Sequence, residues 1–115
     1  MLYIDTPNMQ SQGAALFQKN WRGLETPRHL VLFNPASLKS LLNATGFEGT
    51  KIERRTSVMQ GMYQSSLRMV TGHSPYSTEP AKLGWVQRLR LLFESTYTPT
   101  DKLEFVTLTA KKVSP

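Results

Sequence analysis

The chain has no cysteine, only two histidines and no long apolar run, and each absence closes a class of function. Without thiols there is no disulfide framework, no cysteine-bound zinc and no thiol nucleophile. His29 and His73 are distant in sequence and stand in no acidic cluster, so they suggest no metal centre. No segment approaches the roughly 20 apolar residues of a membrane-spanning helix. The N-terminal stretch MLYIDTPNMQ has no basic region followed by an apolar core of the kind that directs export. The seven glycines are isolated, and none forms the Gly-x-Gly turn that cradles a nucleotide after a strand. No serine sits in a nucleophile elbow, and the acidic residues are not paired as in a glycosidase. Zero cysteine and the missing leader lead us to expect a cytoplasmic protein.

What remains is the composition of one globular domain over residues 1–115, with 39% hydrophobic and 19% charged residues and a single core expected. Fourteen Lys and Arg against eight Asp and Glu give a formal charge of +6, which favours acidic partners. The basic residues are scattered, as Lys51, Arg54 and Arg55, then Arg88 and Arg90, then Lys111 and Lys112. No aromatic platform is interleaved with them, so a solvated basic surface is favoured over nucleic-acid binding.

Hydrophobic patterning gives an order of elements. LYIDT (2–6) predicts a strand ended by Pro7. Thr6 or Asn8 is then placed to cap a helix over 9–18, weakened by Gly13. KNWRGLETPRH is punctuated by Asn20, Gly23 and Pro27 and predicts a loop, the part of a fold that most often carries function. Asn34-Pro35 marks a helix start: the Asn side chain accepts from an orphan N–H, and Pro at the first position forfeits nothing. Leu38, Leu41 and Leu42 fall on one face of this helix, and Gly46 supplies its left-handed stop. Residues 50–59 alternate and predict a strand. Residues 60–79 predict a short helix and a linker, broken at Gly-His-Ser-Pro, in which His73 has no special role. Residues 80–95 place Leu83, Val86, Arg90 and Phe93 along one line beside Trp85, Leu89 and Leu92, a wide apolar stripe with Lys82, Arg88 and Glu94 outside it, expected to pack on the local sheet in preference to a partner or a membrane surface. KLEFVTLTAKK (102–112) predicts a closing strand with Val106, Leu108 and Ala110 on one face.

In this order the features resemble the C-terminal half of a class I S-adenosylmethionine-dependent methyltransferase, of the small-molecule or glycan type. The motifs that carry the resemblance are the strand ending in TPN, the Trp-Arg-Gly-Leu segment, PRHLVLF, the helix ending LLNATGF and the final EFVTLTAKK strand. The resemblance implies an α/β, partial Rossmann-like fold. It would hold a three-stranded mixed sheet with three to four helices, in which 2–6, 104–111 and 50–58 are neighbours in the order 5-7-6 of the full fold. The helix from Pro35 to Thr45 would be the crossover between 2–6 and 50–58, the fifth and sixth strands of the full fold. Residues 60–79 would be an insertion.

The Gly-rich turn and ribose-binding acid of that family have no counterpart in these 115 residues. The resemblance therefore implies the acceptor side of the enzyme, an excised piece or a truncated product. The cofactor would be S-adenosylmethionine in the full-length enzyme, with none expected for this chain alone, which would not methylate by itself. Carried over residue by residue, the acceptor pocket would take Asn8, Trp21, Arg28 and His29. His29 would remove or orient the acceptor's proton, since imidazole titrates near neutrality. Its plain alternative is a loop contact to a backbone carbonyl. Trp21 could equally anchor the loop, and Arg28 could clamp an anion or pair with Glu25. Asp5, if buried, needs a partner. The expected partners are a small-molecule or glycan acceptor and, through the open edge of 2–6, a second copy of the chain. The other reading is a basic binding or dimerisation module that kept the fold and lost the chemistry.

Overall fold

The last strand of the chain becomes the middle strand of its sheet. The computed structural model describes residues 1–24, 29, 31–76 and 84–113. Strand β1 (Leu2–Pro7), helix α1 (Gln12–Phe17) and helix α2 (Pro35–Ala44) come first, followed by β2 (Phe47–Glu53). Helices α3 (Met59–Val70) and α4 (Trp85–Tyr97) precede β3 (Phe105–Lys112), and short 3-10 turns fill Gln18–Asn20, Arg22–Leu24 and Thr100–Lys102. The sheet order is β1-β3-β2. The α/β class holds. So does the expected strand arrangement, with β3 between β1 and β2 and antiparallel to both, Ile4 opposing Leu108 on one side and Ile52 opposing Leu108 on the other. A single parallel bridge, Asn8 to Phe33, stands outside the strands.

Helix α2 forms as its local chemistry dictates. Asn34 Oδ1 accepts from the Ser37 N–H at 2.8 Å, Ser37 Oγ accepts from the Asn34 N–H at 3.0 Å, and Pro35 opens the first turn. Gly46 leaves the helix at φ +86°, a conformation that disfavours any side chain. Leu38 and Leu42 pack on Val106, Leu108 and Ala110 of β3, with Leu2, Ile4, Phe33 and Phe47 around them. Leu41, expected on this face, is exposed.

The opposite face of the sheet carries Asp5, which accepts from Thr107 Oγ1 at 2.7 Å and pairs with Arg55. These are the partners that its strand position demanded.

Three boundaries differ from expectation, each for a reason. Ser11, rather than Thr6 or Asn8, caps α1, accepting from the Ala14 N–H at 3.0 Å, because Asn8 is committed elsewhere. Strand β2 covers Phe47–Glu53 instead of 50–58. It starts early through pairing of Phe47 with Lys112 and has a register shift between Glu48 and Lys51, where Gly49 takes φ +62°. It stops early because Arg54 leaves the ladder to hydrogen-bond the carbonyls of Ser95, Thr96 and Thr98 at the end of α4. Of the 60–79 segment, 60–70 belongs to α3; the linker beyond Tyr76 lies outside the described residues.

The interior forms two clusters where a single core was expected. The second holds Phe17, Trp21, Tyr63 and Leu91, with the Phe17 and Tyr63 rings edge to face at 5.2 Å. Only Leu91 and Glu94 of α4 are buried in it. The apolar stripe expected to pack on the sheet instead faces outward, with Trp85, Val86, Leu89, Leu92, Phe93 and Tyr97 all exposed.

Candidate functional site

The segment after β1 is held from across the sheet by the approach to β3. Asn8 is fully buried. Its Nδ2 donates to the carbonyls of Asp101 and Leu103 at 2.9 and 2.8 Å, while its Oδ1 accepts from the Gln10 N–H at 3.0 Å. Its own N–H donates to the Glu104 carbonyl at 2.9 Å. Every polar group of the side chain is therefore used to clamp the exit of β1 against the entry of β3. The Met9 N–H, bonded to Phe33 O at 2.9 Å, brings the two ends of the 8–34 segment together.

At the centre lies Glu104, 1% exposed. Gly13 N–H donates to its Oε1 at 2.9 Å, and the Trp21 indole N–H donates to its Oε2 at 2.6 Å. Burial pushes this carboxyl above the ordinary range, and the two donated hydrogen bonds pull the other way. Gly13, which weakens α1 as a sequence, has a structural reason: a Cβ there would stand 2.0 Å from Glu104 Oε1. Trp21 is closed on its other side by Gly23, whose Cβ would lie 2.3 Å from the indole ring.

Above this hub a second buried acid, Glu94 of α4, accepts from the Tyr63 hydroxyl and from Arg90 Nε, the latter at 2.8 Å. Burial first, and the hydrogen bond to Glu94 second, hold the Tyr63 phenol above its usual range, so it stays protonated. At the surface, Arg22 donates through its backbone to Ser66 Oγ at 2.9 Å and through Nη2 to the Tyr76 hydroxyl at 3.0 Å. Its guanidinium also lies 4.8 Å from the Tyr76 ring centroid.

Of the residues singled out from the sequence, Asn8 and Trp21 converge on the Glu104 segment. His29 is half-buried on the return of the same loop, and Arg28 and Glu25 lie outside the described residues. His73 is exposed, with Nδ1 3.1 Å from Thr71 Oγ1. Glu104 and Glu94 were not anticipated. A lone acid inside LEFVTL and another inside LRLLFES are the signals that could have found them, although Glu94 was expected outside the apolar stripe and is buried instead. Among the described residues no group of three His, Asp or Glu is placed to hold a metal, and no helix is long and apolar enough to cross a membrane.

Open space adjoins α4. One groove of about 670 Å³ runs past Ser57, Gln60, Gln64, Arg88 and Ser95. A smaller one of about 290 Å³ lies over Phe17, Tyr63, Leu67 and Leu91. Comparison of the chain with protein-family models, curated proteins and solved structures finds no match.

Proposed function

We propose that this chain is the acceptor-side, C-terminal part of an S-adenosylmethionine-dependent methyltransferase and does not transfer methyl groups alone. The observation that carries the reading is the position of β3, antiparallel to both neighbours and inserted between two strands that consequently run in the same direction. Helix α2 connects those two strands and packs on one face of the sheet. The motifs TPN, PRHLVLF and EFVTLTAKK support the same assignment by their order.

The residues present do not fit the cofactor. A methionine and ribose cradle in a doubly wound sheet needs glycines that leave room beside a strand end. The two glycines in close quarters here, Gly13 and Gly23, are filled by Glu104 and Trp21 of the same chain. No step is therefore assigned to the cofactor.

What this chain supplies is a held loop. Asn8 and Trp21, with their polar atoms engaged internally, act as positioning residues. His29 and Arg28 on the same loop are the acceptor-facing candidates, the imidazole to take or orient a proton and the guanidinium to hold an anionic group. A cytoplasmic setting fits a cysteine-free chain.

Calorimetric titration with S-adenosylmethionine tests the reading. The expected result is stoichiometric binding by a polypeptide that includes the reading frame upstream of Met1, and none by the 115-residue chain. Stoichiometric binding by the short chain, or an upstream frame without a Gly-rich strand-turn-helix, overturns it.

One observation favours the second reading, a non-catalytic dimerisation module: among the described residues β1 has no partner strand on its outer edge. Sedimentation as a monomer at high concentration would dispose of that alternative.

A further inference from the structure

The outward face of α4 is the largest feature that the preceding assignment leaves unused. At 100° per residue, Trp85, Val86, Leu89, Leu92, Phe93 and Tyr97 occupy a continuous arc of about 140°, centred opposite the buried pair Leu91 and Glu94. All six are exposed, Trp85 at 74% and Phe93 at 64%. The one polar residue within the arc, Thr96, turns its hydroxyl back to the Leu92 carbonyl at 3.0 Å. Phe93 and Tyr97 stack at 4.6 Å between centroids, which joins the two turns of the face.

The borders are basic. Arg88 lies on one side of the arc and Arg90 on the other, and Arg54 sits on the carbonyls at the C-terminal end. The acid of this helix, Glu94, is withdrawn to Tyr63 and Arg90, so no carboxylate opposes an anionic surface along the face.

We propose that this face of α4 is a membrane-contact site, lying in the plane of an anionic lipid surface with Trp85, Leu89, Leu92 and Phe93 inserted at the level of the acyl boundary. Three features select this occupant. A wide apolar arc with arginines along both borders is the pattern of an interfacial helix, whose basic side chains reach the headgroups while the apolar side enters. Tyr and Trp rings suit the boundary between hydrocarbon and water. The chain's charge of +6 is complementary to anionic lipid. A second copy is the weaker occupant on charge, since facing two such surfaces together would set their bordering arginines against one another with no carboxylate along the face to oppose them. This inference is independent of the methyltransferase reading, since lipid contact by the chain needs neither cofactor nor acceptor.

The test uses the 115-residue chain with vesicles of phosphatidylcholine, with and without phosphatidylglycerol. Trp21 is 1% exposed, so a blue shift of tryptophan emission on vesicle addition reports Trp85. The expected results are co-sedimentation and a blue shift with the anionic vesicles, binding at least about tenfold weaker without the anionic lipid, and further weakening by salt. The variant L89E/F93E should lose binding with an unchanged far-UV circular dichroism spectrum, because both side chains are exposed. R88E should weaken binding to anionic vesicles alone, which keeps the proposal testable if the double variant misfolds. Failure of the native chain to bind anionic vesicles overturns the proposal. So does a dimer in sedimentation equilibrium that L89E/F93E dissociates, which would assign the face to a second copy. Loss of vesicle binding in a longer polypeptide carrying the upstream frame also overturns it, by assigning the face to the rest of that chain.

Discussion

Replacing Gly13 by alanine sets two opposed effects against each other, and the structure says which is larger. In a helix with open surroundings the change is favourable by roughly 1 kcal/mol, because alanine loses less backbone freedom on folding. At Gly13 the new Cβ would meet Glu104 Oε1 at 2.0 Å and its Cδ and Oε2 at 2.6 Å. The carboxyl must retreat, and with it go the hydrogen bonds from the Gly13 N–H and the Trp21 indole. Each unsatisfied buried donor costs about 1–3 kcal/mol. Two of them, less the gain in helix propensity, leave a net destabilisation of about 1–5 kcal/mol. For a chain of this length that lowers Tm by about 4 °C per kcal/mol, or roughly 4–20 °C. Thermal unfolding followed by far-UV circular dichroism measures it. Gly61→Ala in α3 is the control: no atom lies within 4 Å of its Cβ position, so that variant should be unchanged or stabilised. A double-mutant cycle identifies the cause. In a Glu104→Ala background the clash has no partner, and Gly13→Ala should no longer destabilise. An equal loss in both backgrounds would refute the steric account, as would a Gly13→Ala protein as stable as Gly61→Ala.

Other consequences are simpler to state. Burial raises the Glu104 carboxyl above its unfolded value; a raised acid contributes stability that is fully present below the unfolded value, about 4.3, and is lost as pH rises through the folded one. Urea titrations at a series of pH values should therefore show a stability loss on that rise which Glu104→Gln removes, although the variant is less stable at every pH because its amide N–H₂ faces a donor. Asn34→Ala removes the acceptor for the Ser37 N–H and should cost about 1 kcal/mol, with faster amide exchange confined to the first turn of α2. Tyr63→Phe leaves Glu94 without its phenol donor and should cost about 1–3 kcal/mol, read from the urea midpoint. In an active longer polypeptide, His29→Ala should lower kcat by about 10²–10⁴ if the imidazole handles the acceptor proton, whereas a loop-anchoring histidine would move Tm and leave kcat largely intact.

Local chemistry was legible where a few neighbouring residues decide the outcome. Asn34, Pro35 and Gly46 bound α2 by a backbone hydrogen bond and a single positive φ, interactions within one turn of chain. The alternation of Val106, Leu108 and Ala110 told the buried face of β3, because period two leaves no other assignment. Strand β2 was misplaced because its end is decided at a distance: Arg54 is drawn off by carbonyls more than forty residues later. The stripe on α4 was read correctly as apolar and wrongly as buried. Periodicity reveals that one face differs from the other, while the side that packs was decided by Leu91 and by Glu94, an acid made compatible with the interior only by Tyr63 and Arg90. Trp21 and Asn8 were singled out as pocket residues, yet their donors belong to Glu104 and the turn before β3.

The two buried acids also explain how a small sheet holds a long loop. Glu94 and Glu104 both come from the C-terminal part of the chain, and apart from Arg90 their donors come from α1, the Trp21 turn and α3. Breaking such a buried contact strands the remaining partner without water, so each carboxylate fixes its donors more firmly than an apolar contact of equal size. The segment from Asn8 to Leu24 is thereby tied to the entry of β3 rather than to its own neighbours in sequence. It follows that a substitution at Glu104 should disturb the loop bearing His29 before it disturbs α2, whose leucines rest on the other cluster. Hydrogen exchange in Glu104→Ala should show it: amides of Gly13–Leu24 lose protection first, while those of α2 and the Val106–Ala110 ladder keep theirs until global unfolding. Simultaneous loss in both regions would mean that the two clusters unfold as one unit and that the acids serve general stability instead of holding the loop.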